Sequence, residues 1–175
     1  MYLLFYLLLF LATIVFQTTV AEYVADGVGA KPDLVLLAVL YAGARRKGGV
    51  ALSFGFLLGL AQDILSEGLL GSNAFSKGLL GYLMAHVRRH LAMRNVSTWL
   101  GLGLTASVAD ACLIALSLLV FLPEVPIPAA FLPVLAKGVA LNTVLAPIVF
   151  HTVDSVEERL VRAPMGAGLR TPPRA

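Results

Sequence analysis

Between Gly55 and Leu83 the chain reads GFLLGLAQDILSEGLLGSNAFSKGLLGYL, and this stretch limits what the whole can become. It is apolar enough for lipid, yet it carries Gln62, Asp63, Glu67, Asn73 and Lys77 among recurrent glycines. Hydrocarbon offers no water to a charge or to exposed backbone, so such groups must face protein, a cavity or the interface. The pattern predicts two antiparallel membrane helices joined by a tight turn at Ser66-Glu67-Gly68, with Asp63 before the turn and Lys77 after it. Counted at helical rise, both side chains lie about 7–9 Å below the turn and can meet between the helices. A lone charge at a membrane helix centre costs about 2.5–3.5 kcal/mol, and pairing removes much of that. Asp63 and Lys77 are therefore expected either to lock the hairpin or to contact a partner or ligand, with Asn73 close by.

Composition places the rest of the chain in the same solvent. Hydrophobic residues make up 59% and charged residues 13% of it, against about 45–50% and 25% for soluble domains. Mean hydropathy is +0.89. The net charge of +3 does not point to nucleic acid, because the basic residues sit in short clusters between apolar runs. That arrangement is a topology signal. The one cysteine, Cys112, lies inside an apolar segment, which excludes a disulfide framework and predicts a buried packing thiol.

Read in order, the chain predicts an all-α integral membrane protein, a six-helix bundle with several short helices. Met1 to Ala21 carries no charged side chain and lacks the basic start of a signal peptide, so it reads as a retained first helix. Residues 22–33 read as a polar loop. Lys31-Pro32-Asp33 opens helix two, whose apolar run, Leu34 to Ala44, is too short to span alone and must pack against neighbours or extend into the loop. Helix three covers 48–65; helix four starts with Ser72 or Asn73 as N-cap and ends at Arg88-Arg89-His90. Ala51, Gly55 and Gly59 recur at four-residue spacing, the pattern of a close helix–helix seam, and Gly78 and Gly81 of the next helix are further candidate packing positions. Helix five covers 98–122 with Asp110 near its middle. A proline-rich linker, PEVPIP, leads to helix six at 129–153, which carries Lys137, Asn142 and Pro147. Asp110 and Lys137 form a looser candidate pair, roughly 6 Å apart in depth. The six-helix domain thus covers 1–153, followed by a short interfacial helix at 154–163 and a disordered tail at 164–175.

Six helices put Arg45, Arg46, Lys47, Arg88, Arg89, Arg94 and the four tail arginines on one side, ten of the thirteen basic residues. By the positive-inside rule both termini are then cytoplasmic. No catalytic constellation emerges. His86, His90 and His151 fall near inner helix ends without partners at metal-ligand spacing, and no Gly-rich phosphate loop is present. No catalytic residue, metal site or cofactor is expected.

The segments Lys31-Pro32-Asp33, GFLLGLAQDILS at 55–66 and GLLGSNAFSKGLLGYL at 68–83 resemble the rod shape-determining protein MreD family. The resemblance is strongest across residues 31–90. It implies a non-enzymatic component of the bacterial inner membrane, within the complex that elongates the cell wall. Implied partners are an MreC-like single-span coiled-coil protein, MreB, RodA, a class B penicillin-binding protein and membrane lipid, but no nucleic acid, with self-association inside the complex a further option. It also implies a fold similar to the substrate-binding component of energy-coupling-factor vitamin importers. Such an importer subunit is the alternative function, in which Asp63, Asn73 and Lys77 would meet a ligand at the outer face.

Overall fold

The computed structural model describes residues 1–66, 69–91, 93, 95–121 and 131–162, with the side chains of 20–22, 131 and 162 left aside. Among them are six α-helices: α1 Tyr2–Val28, α2 Leu34–Arg45, α3 Gly48–Leu65, α4 Ser72–Val87, α5 Val96–Phe121 and α6 Phe131–Glu157. A 3-10 turn, Arg88–His90, ends α4, and a π-helical turn, Glu158–Arg162, ends α6. Four helices are long and apolar enough to cross a membrane: Tyr2–Val28, Gly48–Leu65, Val96–Phe121 and Leu132–Val161.

The short helix α2 is the hub. Every residue from Val35 to Gly43 is buried. A helix that is apolar all round belongs inside a core, and α2 packs on α1, α3, α4 and α6. Because its neighbours cover Val35 to Gly43, α2 need not be long enough to span. It starts deep: the Gln17 side chain accepts from Leu34 N at 2.9 Å and donates to Pro32 O at 3.2 Å. Gln17 lies fifteen residues from Tyr2, so α2 begins about 22 Å along α1, within a hydrocarbon layer about 30 Å thick.

Several expectations change. The first helix does not stop at Ala21 but runs to Val28, so the polar loop shrinks to 29–33, opened by Gly29 in the left-handed region at φ 72°. Asp26 does not end the helix, because the last turns of α1 stand largely clear of the core and tolerate a polar residue. The segment expected as a separate interfacial helix continues α6 without a break into its π-turn. Cys112 is exposed on α5, not buried. Trp99 is buried and stacks on Phe150 with ring centroids 3.5 Å apart. The Ser66-Glu67-Gly68 turn, the PEVPIP linker and the 164–175 tail fall wholly or mostly outside the described residues.

The α3–α4 seam forms as the small residues require. A Cβ added at Gly55, Gly59 or Gly81 would come within 3.0 Å of backbone atoms of Lys77, Asn73 or Ala51 respectively. Gly78 is less tight, with its nearest neighbour, Leu52 O, at 3.5 Å. Ala51 is fully buried. The same closeness recurs where sequence reasoning did not look, at Gly43 against Gly81 and Met84, and at Gly103 against Ala146.

Candidate functional site

The buried charges and amides converge on one level of the bundle. Lys77, wholly buried on α4, sends its ammonium to Asp33 Oδ2 at 2.9 Å, Asp110 Oδ2 at 3.2 Å and Asn73 Oδ1 at 2.7 Å. Three N–H donors thus meet three acceptors, the full capacity of a lysine. Each acceptor is fixed in turn. Asp33 is the N-cap of α2, its Oδ1 accepting from Leu36 N at 2.9 Å, while its own N–H donates to Asn142 Oδ1 on α6 at 2.7 Å. Asp110 also accepts from Ser76 Oγ. Gln17 of α1 holds the segment just before Asp33's helix.

Asp63 does separate work one turn away. Its carboxylate, 3% exposed, accepts from the backbone N–H groups of Gly71, Asn73 and Ala74 at 2.9, 3.2 and 3.1 Å, and from the Asn73 amide at 2.8 Å. The first N–H groups of a helix lack intrahelical partners, and an acid beside them also meets the positive end of the dipole. The N-cap position itself is Gly71, at φ 95° and without a side-chain bond, so neither Ser72 nor Asn73 is the cap. A residue of α3 caps α4 instead.

The expected Asp63–Lys77 pair is therefore not made. Asn73 stands between them, donating to Asp63 and accepting from Lys77. Depth arithmetic placed both residues correctly near the turn but ignored the unsatisfied N–H groups that compete for a short carboxylate. Asp110 and Lys137 do not meet either: Asp110 is taken by Lys77, and Lys137 Nζ donates to Val28 O at 3.2 Å at the C-terminal end of α1. Asp33, Ser76, Gln17 and Asn142 were missed as members of the site. The available signal was Gln17 itself, an amide within an otherwise uncharged apolar run.

All six helices contribute to this node. Asp63 comes from α3, Asn73, Ser76 and Lys77 from α4, Asp110 from α5, Asn142 from α6, Gln17 from α1 and Asp33 from the start of α2. Beyond Gln17, Asp110 and Asn142, the helices α1, α5 and α6 each continue eleven residues, about 16 Å. The node is thus intramembrane by length. Its formal charge is one cation against Asp33 and Asp110, with Asp63 neutralised by a helix N-terminus. Among the described residues no group of three or more His, Cys, Asp or Glu side chains could hold a metal ion. What this geometry does is hold helices in register.

A second tie closes the N-terminal end of the bundle. Tyr41 donates its hydroxyl to Glu157, Arg45 pairs with Asp154, and Arg46 pairs with Glu157 at 3.3 Å. The Arg46 guanidinium also lies over the rings of Tyr2 and Tyr6, 4.1 and 4.6 Å from their centroids. Arg45 and Arg46, read from sequence as a topology signal, thus also fasten α2 to α1 and α6.

No curated protein and no solved structure matches the chain. The family model of rod shape-determining protein MreD matches residues 1–156, which takes in all of the node and nearly all of the six helices. The chain belongs to the MreD family of rod shape-determining proteins.

Proposed function

We propose that the chain is a non-enzymatic scaffold of the cell-elongation complex, seated in the bacterial inner membrane with both termini in the cytoplasm, and that it binds an MreC-like bitopic protein. Through that partner it stands with MreB, RodA and a class B penicillin-binding protein and supports lateral peptidoglycan synthesis. Family membership carries a role in rod shape determination. The observation that supports a scaffold is the use of Asp63, Asn73, Lys77 and Asp110: their polar atoms are turned on one another and on helix ends. Such a node fixes one arrangement of helices for a partner to recognise. The short, largely buried α2 is consistent with a fold like that of vitamin-importer binding components, and the scaffold reading does not depend on that likeness.

Affinity purification from native membranes in mild detergent tests the proposal. It should recover a single-span coiled-coil protein in stoichiometric amount. Recovery of an energy-coupling transporter subunit with a bound vitamin would replace this reading with the importer one.

A further inference from the structure

The helices α1 and α6 are linked at two levels, directly by Lys137 on Val28 O and through Arg46 of α2 at the other end, and part between them, leaving an apolar groove of about 570 Å³ floored by Leu34 and Ala38 of α2. That volume is on the scale of small-molecule pockets, roughly 300–1,000 Å³. Its α1 wall runs from Phe5 to Phe16 and its α6 wall from Ile148 to Leu160. Only two lining side chains carry a hydroxyl, and both return it to their own helix, Thr13 to Leu9 O at 2.7 Å and Thr152 to Ile148 O at 2.8 Å. The walls therefore offer an occupant no hydrogen bond. Leu8, Phe16, Ile148 and Leu160 are about half exposed, so the groove opens sideways.

Both ends are closed by polar ties. Towards the middle of the membrane, Gln17 binds the start of α2, and beyond it Lys137 joins α6 to Val28 of α1. At the other end Arg46 joins Tyr2 and Tyr6 of α1 to Glu157 of α6. Between the ties the α1 wall runs eleven helical steps from Phe5 to Phe16, about 16 Å, which is close to half of a hydrocarbon layer about 30 Å thick.

We infer that this groove holds one acyl chain of a phospholipid from the leaflet on the N-terminal side of the node. A membrane-spanning helix of a partner protein needs about 30 Å of path and would have to cross the Gln17 and Lys137 ties. Protein interfaces also ask for about 800 Å² from each partner, more than a window three helical turns long provides. A hydrocarbon chain matches the groove in length, in lack of hydrogen-bonding needs and in sideways entry. Held there, it fills the gap between α1 and α6 and makes their spacing dependent on lipid.

The full-length protein in vesicles of phosphatidylethanolamine and phosphatidylglycerol, with a photoactivatable group midway along one acyl chain, tests this. Adducts mapped by mass spectrometry should concentrate on Leu9, Ala38 and Val149 over the outward-facing Leu4, Leu7 and Leu11. Ala12→Trp, which fills the groove from its exposed edge, should abolish them, and Val15→Trp on the outer face should not. Thr152→Phe on the opposite wall gives a second blocking variant should Ala12→Trp fail to fold. Adducts that simply follow exposure, or that survive both blocking variants, would overturn the proposal. So would a photoreactive residue at position 9 that captures a discrete protein in native membranes.

Discussion

Replacing Lys77 by methionine separates the structure most sharply from the pairing expected in sequence. Lys77→Met leaves Asp33 and Asp110 facing each other inside the bundle without their shared cation. Breaking a buried ion pair by removing one partner costs about 3–5 kcal/mol. For a domain of this size each kcal/mol is worth about 2–4 °C, so the melting temperature in mild detergent should fall by roughly 6–20 °C. Adding Asp110→Asn should recover part of the loss, and Asp33→Asn most of the remainder, since asparagine keeps the cap on Leu36 N. Adding Asp63→Asn instead should recover nothing. That change replaces a carboxylate accepting four hydrogen bonds by an amide with one acceptor oxygen, at a further cost of about 1–3 kcal/mol. Thermal unfolding of the single, double and triple variants followed by fluorescence-detected chromatography reads all of these. Rescue of Lys77→Met by Asp63→Asn, with none from Asp110→Asn, would refute the node as drawn.

Two further outcomes follow from packing and topology. Gly55→Ala drives a methyl into the Lys77 backbone and should destabilise by about 1–3 kcal/mol, whereas Gly78→Ala should melt within a degree or two of the parent; equal melting would contradict the seam. In a Cys112→Ala background, a cysteine at Gly27, where a side chain meets open space, should react with an impermeant thiol reagent from outside the cell and one at Lys47 should not; labelling at position 47 would reverse the orientation.

The α3–α4 hairpin was legible because its determinants are local. Small residues at four-residue spacing demand a close neighbour, and the bounds 48–65 follow from Arg45-Arg46-Lys47 on one side and Ser66 on the other. The brevity of α2 was legible for the same reason. Its place at the hub was not, since eleven apolar residues read alike whether they face lipid or protein. The membership of Asp63, Asn73, Lys77 and Asp110 in a polar site was visible as charge and amide in apolar helices. Their partners were not. Lys77 meets carboxylates 44 and 33 residues away, contacts set by how α2 and α5 dock, and depth counted along a single hairpin carries no trace of them. Glu157, 2% exposed, was hidden by its setting: in a run of alternating charge it reads as a solvated face, yet it accepts from Tyr41 and Arg46.

On the proposed scaffold role, the node braces the helices and performs no chemistry of its own. Cells in which the only copy of this protein carries Asp33→Asn, Lys77→Met and Asp110→Asn together test it most directly, by cell width and aspect ratio at matched protein level. A brace can be rebuilt from neutral groups, so these cells should remain rods and the protein should still recover the bitopic partner proposed for it. Round cells, with the variant folded, present at the parent's level and still bound to that partner, would contradict the claim and make the charges themselves the working part.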